Sequence, residues 1–215
     1  MPWNNLYTVW TVQSQVRQRT KQEIWMLFPC TRGRKSSREK ILDAAAELVG
    51  EIGAGRLTLE AVAERAGLSK GGLLYNFPTK DALLQAMIQR MIDQVASEKE
   101  VLREKALPGP NLEARVVTKT LLNICCGGKM QDMATGMMAA TAENPRLLDP
   151  VRQVIRTTLE QLKATSDDLD AALLAWLATE GLSSLEMHNL SPFSDEDRNQ
   201  IVKAIERLVT KGIAD

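Results

Sequence analysis

Histidine is nearly absent: the 215-residue chain holds one, His188. A single imidazole cannot build a two-histidine metal site, and a Ser-His-Asp triad would have to use that residue. Cysteine is scarce as well. Of the three, Cys125 and Cys126 are adjacent, and no CxxC spacing occurs; this is neither a disulfide framework nor a zinc site. No apolar run approaches the ~20 residues that span a bilayer. The densest patch, Ile24 to Cys30, is too short, and the start of the chain lacks the layout of a secretory signal. Phosphate loops, GxSxG elbows and paired carboxylates at a recognisable catalytic spacing are missing too. The expectation is a soluble cytoplasmic protein that is not an enzyme, with no catalytic residue, no metal, no cofactor and no membrane partner.

What is present is a real core and an uneven charge. Apolar residues make up 44% of the chain and the formal net charge is zero. Residues 1–80 hold 12 Lys and Arg against 7 Asp and Glu, whereas residues 81–215 hold 15 against 20. A basic first part on an acidic remainder suits a head that binds a polyanion, and equally suits chance drift of charge along the chain.

Residues 1–35 differ from the rest. They contain five of the nine aromatic residues, Trp3, Tyr7, Trp10, Trp25 and Phe28, and show no sustained period. They read as an appended segment, poorly ordered or mis-annotated, with translation starting at Met26 as one explanation. Intact mass of the natively expressed protein tests that start.

From residue 36 onward the apolar residues recur at helical spacing, and helix punctuation is dense. Ser36 or Ser37 caps a first helix carrying Ile41, Leu42, Ala45, Leu48, Val49 and Ile52, which stops at Gly53 and Gly55. Thr58 caps a second, Leu59 to Ala66, closed by Gly67. Ser69 caps a very short third that reaches about Phe77. After Pro78, Thr79 caps a long fourth helix to about residue 105. Further helices are expected over 111–126, 130–143, 145–164 (kinked or split at Pro150), 167–188 opened by Ser166, and 194–211 opened by a Ser194/Asp197 capping box. No stretch alternates with period two for long. The expected fold is all-α: a three-helix helix-turn-helix head over 36–96, joined by a long helix to a helical effector and dimerisation domain over 97–215.

The motif at 57–76 carries the functional reading. Val62, Ala66, Leu68 and Leu73 are apolar, Ala63 is small, and Gly67 follows it by four residues. Two helices that cross steeply need a small residue at the crossing and a turn residue that tolerates positive φ. That is the layout of a helix-turn-helix, whose second helix lies in the DNA major groove. An ordinary αα-corner has the same layout; the basic flank favours DNA.

The stretch ILDAAAELVGEIGAGRLTLEAVAERAGLSKGGLLYNFPTKDALLQAMI resembles the DNA-binding head of TetR/AcrR-type transcriptional regulators. The resemblance covers about residues 36–96 and includes the I-L-x-A-A opening, the T-x-x-x-V-A-x-x-A-G-L-S-K-G run and the Y-x-F-x-x-K-x-x-L close. It implies an all-α homodimer that binds a double-stranded DNA operator. It also implies a repressor, released when a small-molecule effector binds the second domain. An activator, or a helical DNA-binding adaptor without an effector, is the alternative. The common recognition helix reads roughly S-K-G-T-L-Y-Y-H-F. Here Gly72 replaces a usual Thr, Leu74 a usual Tyr and Asn76 a usual His; the Thr and His positions often touch DNA, so the operator sequence does not carry over from the resemblance, while the DNA-binding role does.

On this reading Lys70 and Tyr75 are the main groove-side contacts, with Asn76 at a position that often touches DNA. Gly71 and Gly72 cost about 1 kcal/mol each in helix propensity, which suggests close approach to DNA. Thr58, Ser69 and Lys80 sit at helix starts, where backbone N–H groups favour phosphate. Arg38, with the basic run before it, is a further phosphate or minor-groove candidate. Leu73 and Phe77 belong to the core.

In the second domain, LATEGLSSLEMHNLSPFSDEDRNQIVKAIERL resembles a C-terminal type that recurs in these regulators, whose last two long helices pair across a two-fold axis. Leu169, Leu173, Leu177 and Leu185 on one helix, with Ile201, Ile205 and Leu208 on the other, are the candidate dimer contacts, though such stripes also suit an intramolecular core. Candidates for an effector pocket are Cys125, Met133, Met137, Met138, Trp176 and Glu180, though any single one of them fits plain core packing better. Methionine adapts to apolar ligands, and Glu180 on an apolar helix suits a cationic one or faces water.

Overall fold

Ser36 opens the first helix with both halves of a capping box. Its hydroxyl accepts from the Glu39 amide at 3.2 Å, and the Glu39 carboxylate accepts from the Ser36 amide at 2.8 Å. In this computed structural model, the described residues are 35–125, 128–188 and 190–213, leaving aside the side chains of 125, 128–132, 134 and 139. The expectations for residues 1–35 fall, Lys35 excepted, outside them. A compact unit begins at Ser36. Among the described residues every regular element is helical.

Helix α1 (Ser37–Ile52) ends at Gly53, whose φ is 78°. An unanticipated 3₁₀ turn, Ala54–Arg56, follows. Helix α2 (Leu59–Ala66) is capped by the Thr58 hydroxyl, which accepts from the Ala61 amide. Gly67 then adopts the left-handed conformation at φ 65°, which a side chain would disfavour. Helix α3 (Lys70–Asn76) starts at Ser69, whose hydroxyl accepts from the Gly72 amide at 3.1 Å. Thr79 caps the long α4 (Lys80–Lys105). After it come α5 (Leu112–Cys125), α6 (Gly128–Glu143), a 3₁₀ turn (Pro145–Leu148), α7 (Asp149–Thr165), α8 (Leu169–Met187) and α9 (Asp195–Lys211).

The segment expected over 145–164 is split and not kinked: the 3₁₀ turn ends at Leu148 and Pro150 sits in the first turn of α7, where its missing N–H costs nothing. One boundary differs from the sequence expectation. Asp168, not Ser166, opens α8: its carboxylate accepts from the Ala171 amide at 3.0 Å, while Ser166 closes α7. The ionised carboxylate is the stronger acceptor for an orphan amide.

Two apolar clusters hold these helices. The first joins Ile41, Leu42, Ala45 and Val49 of α1 to Val62, Leu73, Phe77, Leu83, Leu84 and Met87. It continues into α6 through Met133, Met137 and Ala140. The head is therefore not a free-standing core; α6 completes it. The second joins Ala114 and Val117 of α5, Leu162 of α7, Ala172, Ala175 and Trp176 of α8, and Ile205 and Val209 of α9.

Polar clips close the ends. Asn111, buried at φ 49°, donates from its side chain to the Val209 carbonyl at 3.3 Å and accepts from the Asp168 amide at 3.0 Å. One side chain thus fastens the α4–α5 connection to the start of α8 and to α9. Glu113 lies 2.5 Å from both Lys99 and Arg103 and binds α5 to α4. Burial pushes its carboxyl up, but the two cations outweigh that and hold it below the usual range.

Candidate nucleic-acid interface

The second helix of the motif is fixed from behind. Leu73 is wholly buried against α1 and α2, and Phe77 is nearly so. Burying a side chain of this size is worth about 1.5–3 kcal/mol, so α3 has one rotational setting. In that setting Tyr75 points away from the protein and is 92% exposed. An exposed tyrosine on a helix anchored by its neighbours has no packing reason to be there; its hydroxyl is available to a partner.

The other predicted contact residues have diverse surroundings. Lys70 is exposed, but its ammonium sits 2.7 Å from the Glu60 carboxylate. That hydrogen bond holds Glu60 below its ordinary pKa. Lys80 donates to the Gly55 carbonyl at 2.8 Å, so it also ties α4 to the 3₁₀ turn. Asn76 turns back along its own helix and donates to the Gly72 carbonyl at 2.9 Å. Arg38 lies over the Phe77 ring, 5.3 Å from its centre, a cation–π contact that leaves the rest of the guanidinium open. The Thr58 and Ser69 hydroxyls are both engaged as caps.

The two glycines separate. A Cβ on Gly72 would lie 3.3 Å from the Ser69 hydroxyl, a tight contact with a side chain and not with backbone. A Cβ on Gly71 would meet nothing within 4 Å. Its absence has no explanation inside the protein.

The head itself carries no positive surplus. Residues 36–96 contain seven Lys and Arg against eight Asp and Glu, while residues 1–35 contain six against one. The positive surplus of the first 80 residues therefore precedes the head rather than residing in it. Arg65 is engaged as well, paired with Glu51 at 2.8 Å and with Glu47 at 3.5 Å.

The effector candidates do not converge. Met133 and Met137 are buried in the first cluster, Trp176 belongs to the second, and Met138 is about half exposed. The Cys125 side chain lies outside the described part. Glu180 accepts from the Trp176 indole at 3.2 Å, and burial pushes its carboxyl above the usual range despite that bond. The described cavity is elsewhere, between α4, α5 and α9.

The dimer candidates also divide. Ile205 is buried in the second cluster, and Leu173, Ile201 and Leu208 pack against it, so these serve the chain's own core. Leu169 and Leu185 are half-buried. Leu177 is 62% exposed and is joined by Leu174 at 51%, which the sequence reading missed. The signal was present as an i, i+3 pair of leucines, but α8 is apolar all round and no single stripe stands out.

Three comparisons bear on this geometry. The description of bacterial regulatory proteins of the tetR family matches residues 41–87, and that of the tetracyclin repressor-like C-terminal domain matches residues 114–210. The HTH-type transcriptional regulator RutR of Escherichia coli (strain K12) is 26% identical over 160 residues, 74% of this chain and 71% of RutR. A transcriptional regulator from Rhodococcus sp. RHA1 superposes with a TM-score of 0.65 at 16% identity, covering 84% of this chain and all of that one. A TetR-family member from Streptomyces coelicolor A3 gives 0.60 at 22% identity, over 81% and 99%. Both superpositions are likenesses of fold. A head and a C-terminal domain that each match their descriptions in order, on a helix-turn-helix with an outward tyrosine, place the chain in the TetR family of DNA-binding transcriptional regulators.

Proposed function

We propose that the chain is a homodimeric repressor that reads a two-part operator with α3 and releases it when a small molecule binds the C-terminal domain. The observation that carries the reading is the exposure of Tyr75 on a helix whose opposite face, at Leu73, is sealed. In this reading Tyr75 and Lys70 enter the major groove, and Gly71 lets the backbone approach the bases. Thr58, Ser69, Arg38 and Lys80 face phosphate, and Gly72 and Asn76 shape the helix end. Two copies would present their α3 helices ~34–36 Å apart, one helical turn of DNA. The exposed Leu174 and Leu177 of α8 supply the two-fold contact.

Lys70 must exchange Glu60 for DNA, so it reports on groove entry, whereas Lys80 is held at the rim. Lys70→Ala is expected to weaken binding and relax sequence preference; Lys80→Ala is expected to weaken binding to all sequences alike. Genomic footprinting supplies the operator, and titration of operator and random duplexes measures both variants. Equal losses on the two duplexes for Lys70→Ala would remove α3 from the groove.

A further inference from the structure

The cavity between the end of α4, α5 and α9 has a volume of about 610 Å³, within the ~300–1,000 Å³ of small-molecule sites. Its floor is apolar: Val116, Leu122 and Val209 are each 5% exposed or less. Its walls are cationic. Five Lys and Arg line it against a single acid, Glu206, in a half of the chain where acids outnumber bases. Glu206 is engaged with Lys119 at 3.7 Å. Arg115 spends its hydrogen bonds on the carbonyls of Leu107, Gly109 and Pro110 and meets no carboxylate among the described residues. Lys105, Lys203 and Arg207 have no ion-pair partner among the described residues. Thr118 adds an unmet polar group to the lining, a buried hydroxyl without a hydrogen-bond partner.

An apolar floor removes an apolar body from water, and uncompensated cations around it select the sign of the head group. We propose that this cavity binds an amphipathic monoanion, a carboxylate carried on an unbranched apolar chain. The carboxylate lies among Lys105, Lys203 and Arg207, and the chain covers Val116, Leu122 and Val209. The site uses α9 and is separate from the Trp176–Glu180 pair, whose carboxylate would repel such a ligand.

The test is isothermal titration of the full chain, without DNA, with dodecanoate below its micellar concentration. Dodecyltrimethylammonium serves as the cationic counterpart. Expected are saturable binding of one dodecanoate per chain and no comparable binding of the cation. Lys203→Gln/Arg207→Gln is expected to weaken dodecanoate by about tenfold or more, because charge-assisted hydrogen bonds are lost. Both side chains are exposed, so the variant keeps its fold; Lys105→Gln, at the end of α4, is an independent second variant. Lys163→Gln, an exposed cation on α7, should change nothing. Absence of saturable binding, equal affinity for the cation, or unchanged affinity in both cavity variants would overturn the proposal. Failure here leaves the operator reading standing, since no DNA enters the measurement.

Discussion

Gly136 of α6 rests directly on Val49 of α1: a Cβ there would lie 2.5 Å from the Val49 carbonyl oxygen and 2.7 Å from its Cγ1. Here the C-terminal part of the chain meets the DNA-binding head with no side chain between. Backbone cannot give way as a flexible side-chain end can, so a methyl must separate the helices. Gly136→Ala is expected to cost about 1–3 kcal/mol and to lower the melting temperature by roughly 2–4 °C for each of them. Thermal unfolding measures it, and an unchanged midpoint would show the contact to be slack.

Gly71 offers the opposite case. With open space around it, Gly71→Ala should stabilise the fold by about 0.5–1 kcal/mol through helix propensity. The same methyl should weaken operator binding if DNA comes close. Melting and operator titration on one variant are expected to move in opposite directions; a stabilised protein with undiminished affinity would remove Gly71 from the interface.

Glu60 holds Lys70 in an ion pair, and on the proposed reading DNA must displace it. Glu60→Gln removes the competing charge and a like charge facing phosphate. Affinity is expected to rise a few-fold, with a steeper salt dependence as one more free cation meets the duplex. Titration at several salt concentrations checks this.

Glu180 makes a pH prediction. Its carboxyl is raised in the folded state by burial, partly offset by the Trp176 bond. Between the unfolded pKa and the raised folded one, the native state holds more protons. The stabilising effect is therefore full below the unfolded value and is lost as pH rises through the folded one. Glu180→Gln, which keeps an acceptor for the indole without a buried charge, should be more stable than the parent at pH 7. The gap should close as pH falls towards about 4. Melting curves over that range decide; a constant gap would refute it.

Leu174 and Leu177 stand exposed one turn apart on α8. Leu174→Arg/Leu177→Arg should yield a folded monomer by sedimentation equilibrium, because neither side chain supports the intramolecular core. A dimer that survives the change would place the two-fold contact elsewhere.

How far the residues alone carried the reading varies by scale. Helix existence and most caps and turns were legible because they depend on neighbours within four positions: Ser36 with Glu39, Thr58 with Ala61, Gly67 at positive φ; the Asp168 cap and the 3₁₀ turn at Ala54–Arg56 were not. The outward placement of Tyr75 follows from the same short-range geometry once Leu73 is the core residue. The effector candidates fared differently. Met133 and Met137 complete the head's core, whereas Trp176 belongs to the other cluster. Helical periodicity says which face of α6 is apolar but not which helix it meets.

The sequence by itself determined the all-α class and the helix-turn-helix with its short second helix, since these are written in local propensity and spacing. Only the tertiary structure decided that Glu60 holds Lys70, that α6 lies bare against α1 at Gly136, and that a cationic cavity opens between α4, α5 and α9. Each of these joins residues from different elements. Their meeting depends on the packing energy of the whole molecule, which no window along the chain contains.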